Sequence, residues 1–193
     1  DEIKKLSTYK KKIKFFEKKT INLINVGRLV IQKNQKEILL ALTKLKTSNT
    51  NFRLLILGYG TEKINLQNFI NKNNLKKIVK IIFVKNPYKY IKMSDVFILS
   101  SKYEGLPNVL QEAAYLNKYI ISSNCKTGPR EIIKKYKYGE LYKLGNINEL
   151  TLKLKKLNKK KLSSNIKKYS KNLKDFNYKK NLRKYLIAIE KLI

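Results

Sequence analysis

The chain is poor in the residues that most often build catalytic and metal sites. Its 193 residues include no histidine, no tryptophan, one cysteine, one methionine and three prolines. Without histidine, and with Cys125 as the lone thiol, these residues build neither a histidine-assisted nucleophile nor a zinc site with histidine or several cysteine ligands. One cysteine also excludes an internal disulfide and fits a reducing compartment, so we expect Cys125 to be a small buried apolar residue.

Acidic residues are scarce as well, with 13 Asp and Glu against 45 Lys and Arg and a net charge of +32. Such a charge favours anionic partners, namely nucleic acid, anionic lipid or phosphorylated substrates. The basic residues run from Lys4 to Lys191 and are interleaved with Asn and Ile, so a general preference for Lys at solvated positions explains the charge equally well. No apolar run approaches the roughly 18 residues of a membrane span, and the first residues lack a signal-peptide apolar region, so we expect a cytoplasmic protein.

Hydrophobic patterning predicts alternating strands and helices after a lysine-rich start. The predicted strands are residues 21–26, 52–57, 78–84, 95–99 and 119–122. Helices are predicted at 35–45, at 61–71 with Thr61 as its cap and Ile64 among the core candidates, and after Asn86-Pro87. Strands that are apolar along most of their length and separated by helices predict a parallel sheet buried on both faces, which is a doubly wound, Rossmann-like α/β domain.

The same patterning predicts three parts. Residues 1–20 are expected to be a linker or surface helix, and residues 21–150 the Rossmann-like domain. Residues 151–193 are expected to form additional helices that pack on the domain, within helical stretches at 147–157, 162–173 and 176–193.

Polar and glycine-containing loops follow each predicted strand. Ligands of doubly wound sheets bind outside the carboxyl ends of the strands, so this edge is the expected site. The loops are Gly27-Arg28, Gly58-Tyr59-Gly60, Lys85-Asn86 and the segments 100–107 and 123–129.

Two carboxylates, Glu104 and Glu112, flank a predicted helix start at Pro107. A helix start carries partial positive charge and free N–H groups that suit a phosphate, and carboxylates accept hydrogen bonds from paired hydroxyls. A diphosphate at the N–H groups of residues 105–109 would have a sugar toward Glu104 and a ribose toward Glu112. The spacing alone also arises by chance, with Glu104 stabilising the helix start electrostatically and Glu112 solvated on the helix.

Two cations, Arg28 and Lys33, follow the first predicted strand. Arg presents a planar fork to phosphate oxygens and Lys a compact charge, so the pair can neutralise a diphosphate leaving group without a divalent metal. In so basic a chain, a single lysine such as Lys33 is weak evidence for a phosphate site. Arginine is the rarer residue here, so Arg28 directly after Gly27 is stronger evidence.

Two other ligand classes are disfavoured. The loop Gly58-Tyr59-Gly60 would need glycine at position 63 to form a dinucleotide fingerprint, but that residue is Lys63. Dispersed Tyr and Lys residues can form a nucleic-acid surface, but no recognition motif accompanies them here.

Taken in order, the segments NVGRLVIQKNQ, FRLLILGYG, NPYKYI, SDVFILSSKYEGLPNVLQEAA, TGPREII and YGELY resemble the group 1, retaining glycosyltransferases of two-Rossmann-domain (GT-B) architecture. The resemblance covers about residues 21–150 and corresponds to the carboxyl-terminal, donor-binding half of such an enzyme. It implies a nucleoside diphosphate sugar as donor, most typically a UDP-sugar, and no metal or other cofactor.

The resemblance also implies roles for individual residues. Arg28 and Lys33 would bind the donor diphosphate, Glu104 would be the catalytic residue that contacts and orients the transferred sugar rather than attacking it, and Glu112 would hold the ribose. The base would rest near residues 83–85. The remaining donor-binding positions that it implies are Gly105, Leu106, Pro107 and Asn108.

A family enzyme also has an amino-terminal domain that binds the acceptor, and this sequence begins where the interdomain connection would be. We therefore expect the chain alone to bind donor without efficient transfer, as part of an enzyme of polysaccharide or glycolipid synthesis. Lysines near an anionic membrane contribute about 1 kcal/mol each, so peripheral association with the inner face of the membrane is a further expectation. The alternative is a non-catalytic basic module that binds nucleic acid or anionic membrane.

Overall fold

The computed structural model describes residues 2–8, 14–46, 51–136, 139–160 and 162. Its strands are β1 (Ile21–Val26), β2 (Phe52–Leu57), β3 (Val79–Ile82), β4 (Val96–Leu99), β5 (Tyr119–Ser123) and β6 (Gly139–Tyr142). Its helices are α1 (Glu2–Ser7), α2 (Gln35–Leu45), α3 (Lys63–Lys72), α4 (Tyr88–Met93), α5 (Asn108–Tyr115), α6 (Pro129–Tyr136) and α7 (Ile147–Lys155), with a 3-10 turn at Ile31–Lys33.

The six strands of the described part form one sheet in the order β3-β2-β1-β4-β5-β6. Every neighbouring pair is parallel. The direction of winding reverses between β1 and β4, and this switch point opens a crevice outside the carboxyl ends of those strands. The predicted doubly wound, Rossmann-like fold is confirmed.

The sheet is buried on both faces because successive side chains of a strand point to opposite sides. Leu23 of β1 belongs to a core cluster that includes residues of α2, α3 and α7, whereas Ile24 belongs to a second cluster that includes residues of α4, α5 and α6. Both side chains are fully buried. The near-continuous apolar strands therefore reflect helices on each face.

A buried carboxylate ties α2 to the segment around β6. Glu37 is only 2% exposed and accepts hydrogen bonds from the Tyr142 hydroxyl at 3.0 Å and the Gly145 N–H at 2.6 Å. Burial raises the pKa of Glu37 above its ordinary value. On the same side, α7 continues across the predicted end of the domain at residue 150 and packs on α2. Lys44 Nζ lies 2.6 Å from Asn148 Oδ1 at this contact.

The three-part division of the chain stays a prediction. Helices predicted at 162–173 and 176–193 lie outside the described residues, apart from Leu162, which is buried. Residues 1–20 are described only in part. The helix among them, α1, packs against α4.

The start of α3 differs from the prediction. The helix begins at Lys63, Glu62 occupies its cap position without a side-chain cap, and Thr61 does not cap it. The Glu62 N–H donates to the Leu29 carbonyl at 2.8 Å, which anchors this turn to the loop after β1. Ile64 is consequently 71% exposed rather than part of the core.

Other boundaries also shift. α5 begins at Asn108, since Pro107 has a ψ of 89° that is not helical and serves as the cap residue.

The prediction of five strands was incomplete because β6, a short and largely half-buried strand beside β5, was missed together with α6. Half-buried edge strands lack the strong apolar run that marks a central one.

Cys125 lies in the loop after β5 and is 3% exposed. Burial raises the pKa of its thiol, which disfavours the reactive thiolate. The expectation of a small buried residue is confirmed.

Candidate functional site

The loops at the carboxyl edge of the sheet are bound to one another by backbone hydrogen bonds. The Leu29 N–H donates to the Tyr59 carbonyl at 2.7 Å, and the Lys102 N–H donates to the Gln32 carbonyl at 2.8 Å. The Gln32 side chain returns a bond to the Tyr103 carbonyl at 2.9 Å. The loops after β1, β2 and β4 therefore form one connected surface around the switch point.

Two glycines allow these loops to approach at backbone distance. A Cβ on Gly58 would lie 1.9 Å from the Gly27 carbonyl oxygen. Gly128 has a φ of +79°, and a Cβ there would lie 2.2 Å from the Gly105 carbonyl oxygen and 2.6 Å from Pro107 Cδ. The loop after β5 thus supports the residues that lead into α5, and only glycine fits.

Glu104 is held from two sides at a single oxygen. Its Oε1 accepts hydrogen bonds from Lys33 Nζ at 2.6 Å and from Ser101 Oγ at 2.5 Å. The Glu104 side chain is 8% exposed and that of Lys33 is 18% exposed. Thr127 holds the backbone of the same residue, since its hydroxyl donates to the Glu104 carbonyl. Lys33 and Glu104, predicted separately from the sequence, are therefore direct partners.

Arg28 contrasts with this pair. Its side chain is exposed, and within the described ranges its guanidinium makes neither a hydrogen bond nor an ion pair. Its position is fixed through the backbone, because Gln35 Nε2 donates to the Arg28 carbonyl at 3.0 Å. All five donors of this guanidinium are available to an anion at the carboxyl edge.

The start of α5 is open. No side chain caps it, and its first turn contains no acidic residue. Pro107 is buried, whereas Gly105, Leu106 and Asn108 are exposed. No heavy atom of the described chain lies within 4 Å of where a Cβ on Gly105 would be. Uncapped helix starts leave N–H groups without helical partners.

Glu112 lies in a different environment from Glu104. The Tyr88 hydroxyl of α4 donates to Glu112 Oε1 at 3.3 Å. The side chain is half-buried, and burial raises the pKa of its carboxyl group above the ordinary value of 4.5. Asn86 steadies the start of α4 in turn, since its Oδ1 accepts from the Tyr88 N–H at 3.0 Å and its Nδ2 donates to the Leu6 carbonyl at 3.0 Å.

An exposed aromatic pair stands at the ends of β2 and β3. The rings of Tyr59 and Phe83 meet edge to face at a centroid distance of 5.2 Å. They are 63% and 61% exposed. Phe83 begins the segment where the base was expected, whereas Tyr59 was predicted only as part of a loop at this edge and was given no contact with the base.

Sequence reasoning also missed Ser101 and Thr127. Both are hydroxyl residues in loops that directly follow buried strands, β4 and β5, and this placement was the available signal.

In the part of the chain that the structure describes, no three potential metal ligands of the His, Cys, Asp and Glu types lie together. No helix described here is both long and apolar enough to cross a membrane.

Comparison with known proteins gives curated relatives that match more than half of this chain. An uncharacterized glycosyltransferase of Methanocaldococcus jannaschii is 46% identical over 111 residues, which are 57% of this chain and 27% of that protein. The Campylobacter jejuni N-acetylgalactosamine-N,N'-diacetylbacillosaminyl-diphospho-undecaprenol 4-alpha-N-acetylgalactosaminyltransferase is 34% identical over 134 residues, which are 69% of this chain and 36% of that enzyme. The chain thus spans about a third of the length of these curated relatives.

A solved structure shares the fold. The pneumococcal O-GlcNAc transferase GtfA, in complex with UDP and GlcNAc, superposes with a TM-score of 0.80 at 18% identity, covering 90% of this chain and 36% of that one. The six-stranded sheet corresponds to one Rossmann-like half of a GT-B enzyme. A family model for "Glycosyl transferases group 1" matches residues 7–180. The chain belongs to the group 1 glycosyltransferases.

Proposed function

We propose that this chain is the donor-binding part of a retaining glycosyltransferase that moves a sugar from a nucleoside diphosphate to a hydroxyl acceptor. The observation that carries the proposal is the set of groups around the open start of α5. A buried carboxylate (Glu104) with a cation stands before the helix, and a half-buried carboxylate (Glu112) stands within it. On the neighbouring loop lies the Arg28 guanidinium, which has no hydrogen bond or ion pair among the described residues.

The donor diphosphate is assigned to Arg28, Lys33 and the N–H groups of residues 105, 106 and 108, since Pro107 has none. Departure of the diphosphate develops negative charge, and preorganised cations and N–H groups stabilise such charge in the transition state. Lys33 is already engaged by Glu104 at 2.6 Å, but an ammonium has three donors. One of them can hold Glu104 while another contacts a phosphate oxygen, which would link the diphosphate and sugar positions.

The sugar and nucleoside are assigned to opposite sides of the helix start. Glu104 orients the transferred sugar through its hydroxyls, and Glu112 accepts from the ribose hydroxyls. The base is assigned to residues 83–85, where the exposed rings of Phe83 and Tyr59 offer apolar faces for stacking. The UDP bound in the GtfA structure supports a UDP-sugar as the donor.

The acceptor is assigned to a partner domain outside this sequence. The chain covers about a third of its curated relatives, so most of such an enzyme is not included in it. The name of the Campylobacter relative includes a diphospho-undecaprenol, and this supports a lipid-linked acceptor in polysaccharide or glycolipid synthesis. The chain alone should bind donor with little transfer, in the cytoplasm or at the inner face of the membrane.

A thermal-shift panel with UDP, GDP and ADP tests the proposal, because a ligand that binds only the folded state raises its stability. We expect UDP to give the largest shift. Arg28→Ala should weaken UDP binding about tenfold through loss of a charged hydrogen bond, whereas Lys76→Ala, an equal charge change before β3, should not. No shift with any nucleotide, together with tight and salt-dependent oligonucleotide binding, would favour the basic binding module instead.

A further inference from the structure

We propose that Ser101 is a positioning residue for Glu104, fixing the carboxylate so that Oε1 is occupied by the protein and Oε2 faces the donor sugar. This inference rests on the proposed function, since a donor sugar is the ligand that Oε2 would meet. It assigns to a buried serine a specific effect on sugar binding that differs from its effect on nucleotide binding.

The two donors to Glu104 share one oxygen. Lys33 Nζ lies 2.6 Å from Oε1 and Ser101 Oγ lies 2.5 Å from the same atom. A carboxylate oxygen has about two lone-pair sites, so Oε1 is saturated. Within the described residues, Oε2 receives no hydrogen bond. The carboxylate therefore presents one oxygen with its full acceptor capacity to whatever binds beside it.

The lysine alone does not fix the plane of this carboxylate. An ammonium is a compact charge with rotatable donors on a flexible stem, so it attracts Glu104 without selecting one rotation. The serine hydroxyl sits on a short side chain with 0% exposure and one χ angle to its oxygen, so its position is more restricted than that of the ammonium. A second hydrogen bond to the same oxygen restricts this rotation and leaves Oε2 as the oxygen open to a ligand.

The serine is itself anchored to the sheet. It lies two residues after the end of β4, and its carbonyl accepts a hydrogen bond from Ser123 Oγ at 2.7 Å. Ser123 is the last residue of β5. The chain of contacts from the strand ends through Ser101 to Glu104 transmits the rigidity of two central strands to the carboxylate.

A purely structural role for Ser101 predicts something different. If the hydroxyl only satisfied a buried polar group, its removal would lower stability and would change UDP and UDP-sugar binding equally. A positioning role changes the affinity for the sugar nucleotide beyond any change for UDP. The ratio of the dissociation constants for UDP and for the UDP-sugar separates these cases, because a loss of folding stability affects both constants equally and cancels from their ratio.

The experiment is calorimetric titration of the 193-residue chain and of Ser101→Ala with UDP, UDP-glucose, UDP-galactose and UDP-N-acetylglucosamine. For the sugar nucleotide that binds tightest, we expect Ser101→Ala to lose about fivefold more affinity than it loses for UDP, from removal of one charge-assisted hydrogen bond. Ser122→Ala is the matched control. Its hydroxyl is equally buried, donates to the Ser123 carbonyl at 3.1 Å and does not contact Glu104, so the ratio should stay unchanged.

Equal losses for UDP and the sugar nucleotide, or no loss for either, would overturn the positioning role while leaving the donor site intact. Failure of the unaltered chain to bind any of these nucleotides would overturn the proposed function and this inference with it. The two failures are therefore distinguished by the titration of the unaltered chain.

Discussion

At the scale of single residues, the carboxylates of Glu104 before α5 and Glu112 within it have the same chemistry but different partners. Glu104 accepts hydrogen bonds from the Lys33 ammonium and the Ser101 hydroxyl. Among the described residues, Glu112 accepts a hydrogen bond only from the Tyr88 hydroxyl, at 3.3 Å, and burial is the largest influence on its pKa, which it raises. We therefore expect Glu112 to be the site residue whose protonation limits ligand binding as the pH falls.

The pH dependence of ribose recognition tests this. The pKa of Glu112 is raised above 4.5 by burial, so on acidification it protonates before an ordinary glutamate. Protonation removes acceptor capacity for ribose hydroxyls, so the preference for UDP over 2′-deoxy-UDP should fall with pH already above the ordinary glutamate range of about 4 to 5.

Calorimetric titration with UDP and with 2′-deoxy-UDP at several pH values measures this preference as the ratio of the two dissociation constants. Titration of the phosphates affects both nucleotides equally, so it cancels from that ratio. Glu112→Gln should have a smaller preference for UDP that does not vary with pH. A wild-type preference that stays constant down to about pH 5 would contradict the assigned role.

Sequence reasoning reached these residues by type and position, but not by contact. The order of strand, loop and helix placed Arg28, Lys33 and Glu104 at one edge, and the structure has them there. That Lys33 pairs with Glu104 through side chains depends on how the loops after β1 and β4 pack, which no local pattern encodes. Ser101 was missed for the same reason, because a serine in a loop has many local explanations.

At the scale of elements, the central strands were predictable and the helix ends were less so. β1 and β2 agree with prediction residue by residue, since buried parallel strands read as unbroken apolar runs. The starts of α3 and α5 shifted because tertiary contacts set them: the Leu29 carbonyl anchors one, and close packing of Gly128 on Pro107 accompanies the other.

The packing of Gly128 on the loop before α5 predicts a large effect of a small substitution. Gly128→Ala places a methyl group within 2.2 Å of the Gly105 carbonyl oxygen and forces alanine to a φ of +79°. We expect a loss on the order of 3 kcal/mol in the free energy of unfolding, from strain and displaced backbone. Urea denaturation measures it.

Gly105→Ala serves as the stability control for that substitution. No described heavy atom lies within 4 Å of its Cβ position, so the free energy of unfolding should change by less than about 1 kcal/mol. Equal destabilisation by the two substitutions would show that the close approach at Gly128 does not matter.

A buried lysine connects β5 to the end of α4. Lys118 is 9% exposed, and its ammonium donates to the carbonyls of Lys92 at 2.6 Å and Ser94 at 2.8 Å. Burial lowers the pKa of Lys118 from 10.5 to about 8. Lys118→Met removes both donors and should cost about 2 kcal/mol of unfolding free energy at neutral pH.

The sign of the pH dependence follows from the lowered pKa. Between about pH 8 and pH 10.5 the unfolded chain binds more protons at this group than the folded chain, so wild-type stability relative to Lys118→Met should rise across that window. Urea denaturation at several pH values measures the difference, with Lys80→Met, an exposed lysine on β3, as control. A difference that stays flat would mean that Lys118 keeps its ordinary pKa.

At the scale of the whole molecule, the net charge of +32 comes from basic residues spread along the entire sequence. Composition could not decide between a function and a general preference for lysine, because both place cations at solvated positions. The fold and family are decided by patterns of apolar strands and ordered motifs, which are independent of the charge.

Membrane association is the whole-molecule prediction that follows from the charge. The chain should co-sediment with vesicles containing anionic lipid at low salt, and binding should weaken as salt screens the lysines. Vesicles of neutral lipid are the control. Equal binding to both kinds of vesicle would mean that the charge does not direct the protein to membranes.

The most direct measurement of the central claim is a crystal structure of this chain with UDP bound. The account predicts that the diphosphate lies at the N–H groups of residues 105, 106 and 108 and contacts the side chains of Arg28 and Lys33, with the ribose hydroxyls on Glu112. A diphosphate bound elsewhere, with the start of α5 empty, would contradict it.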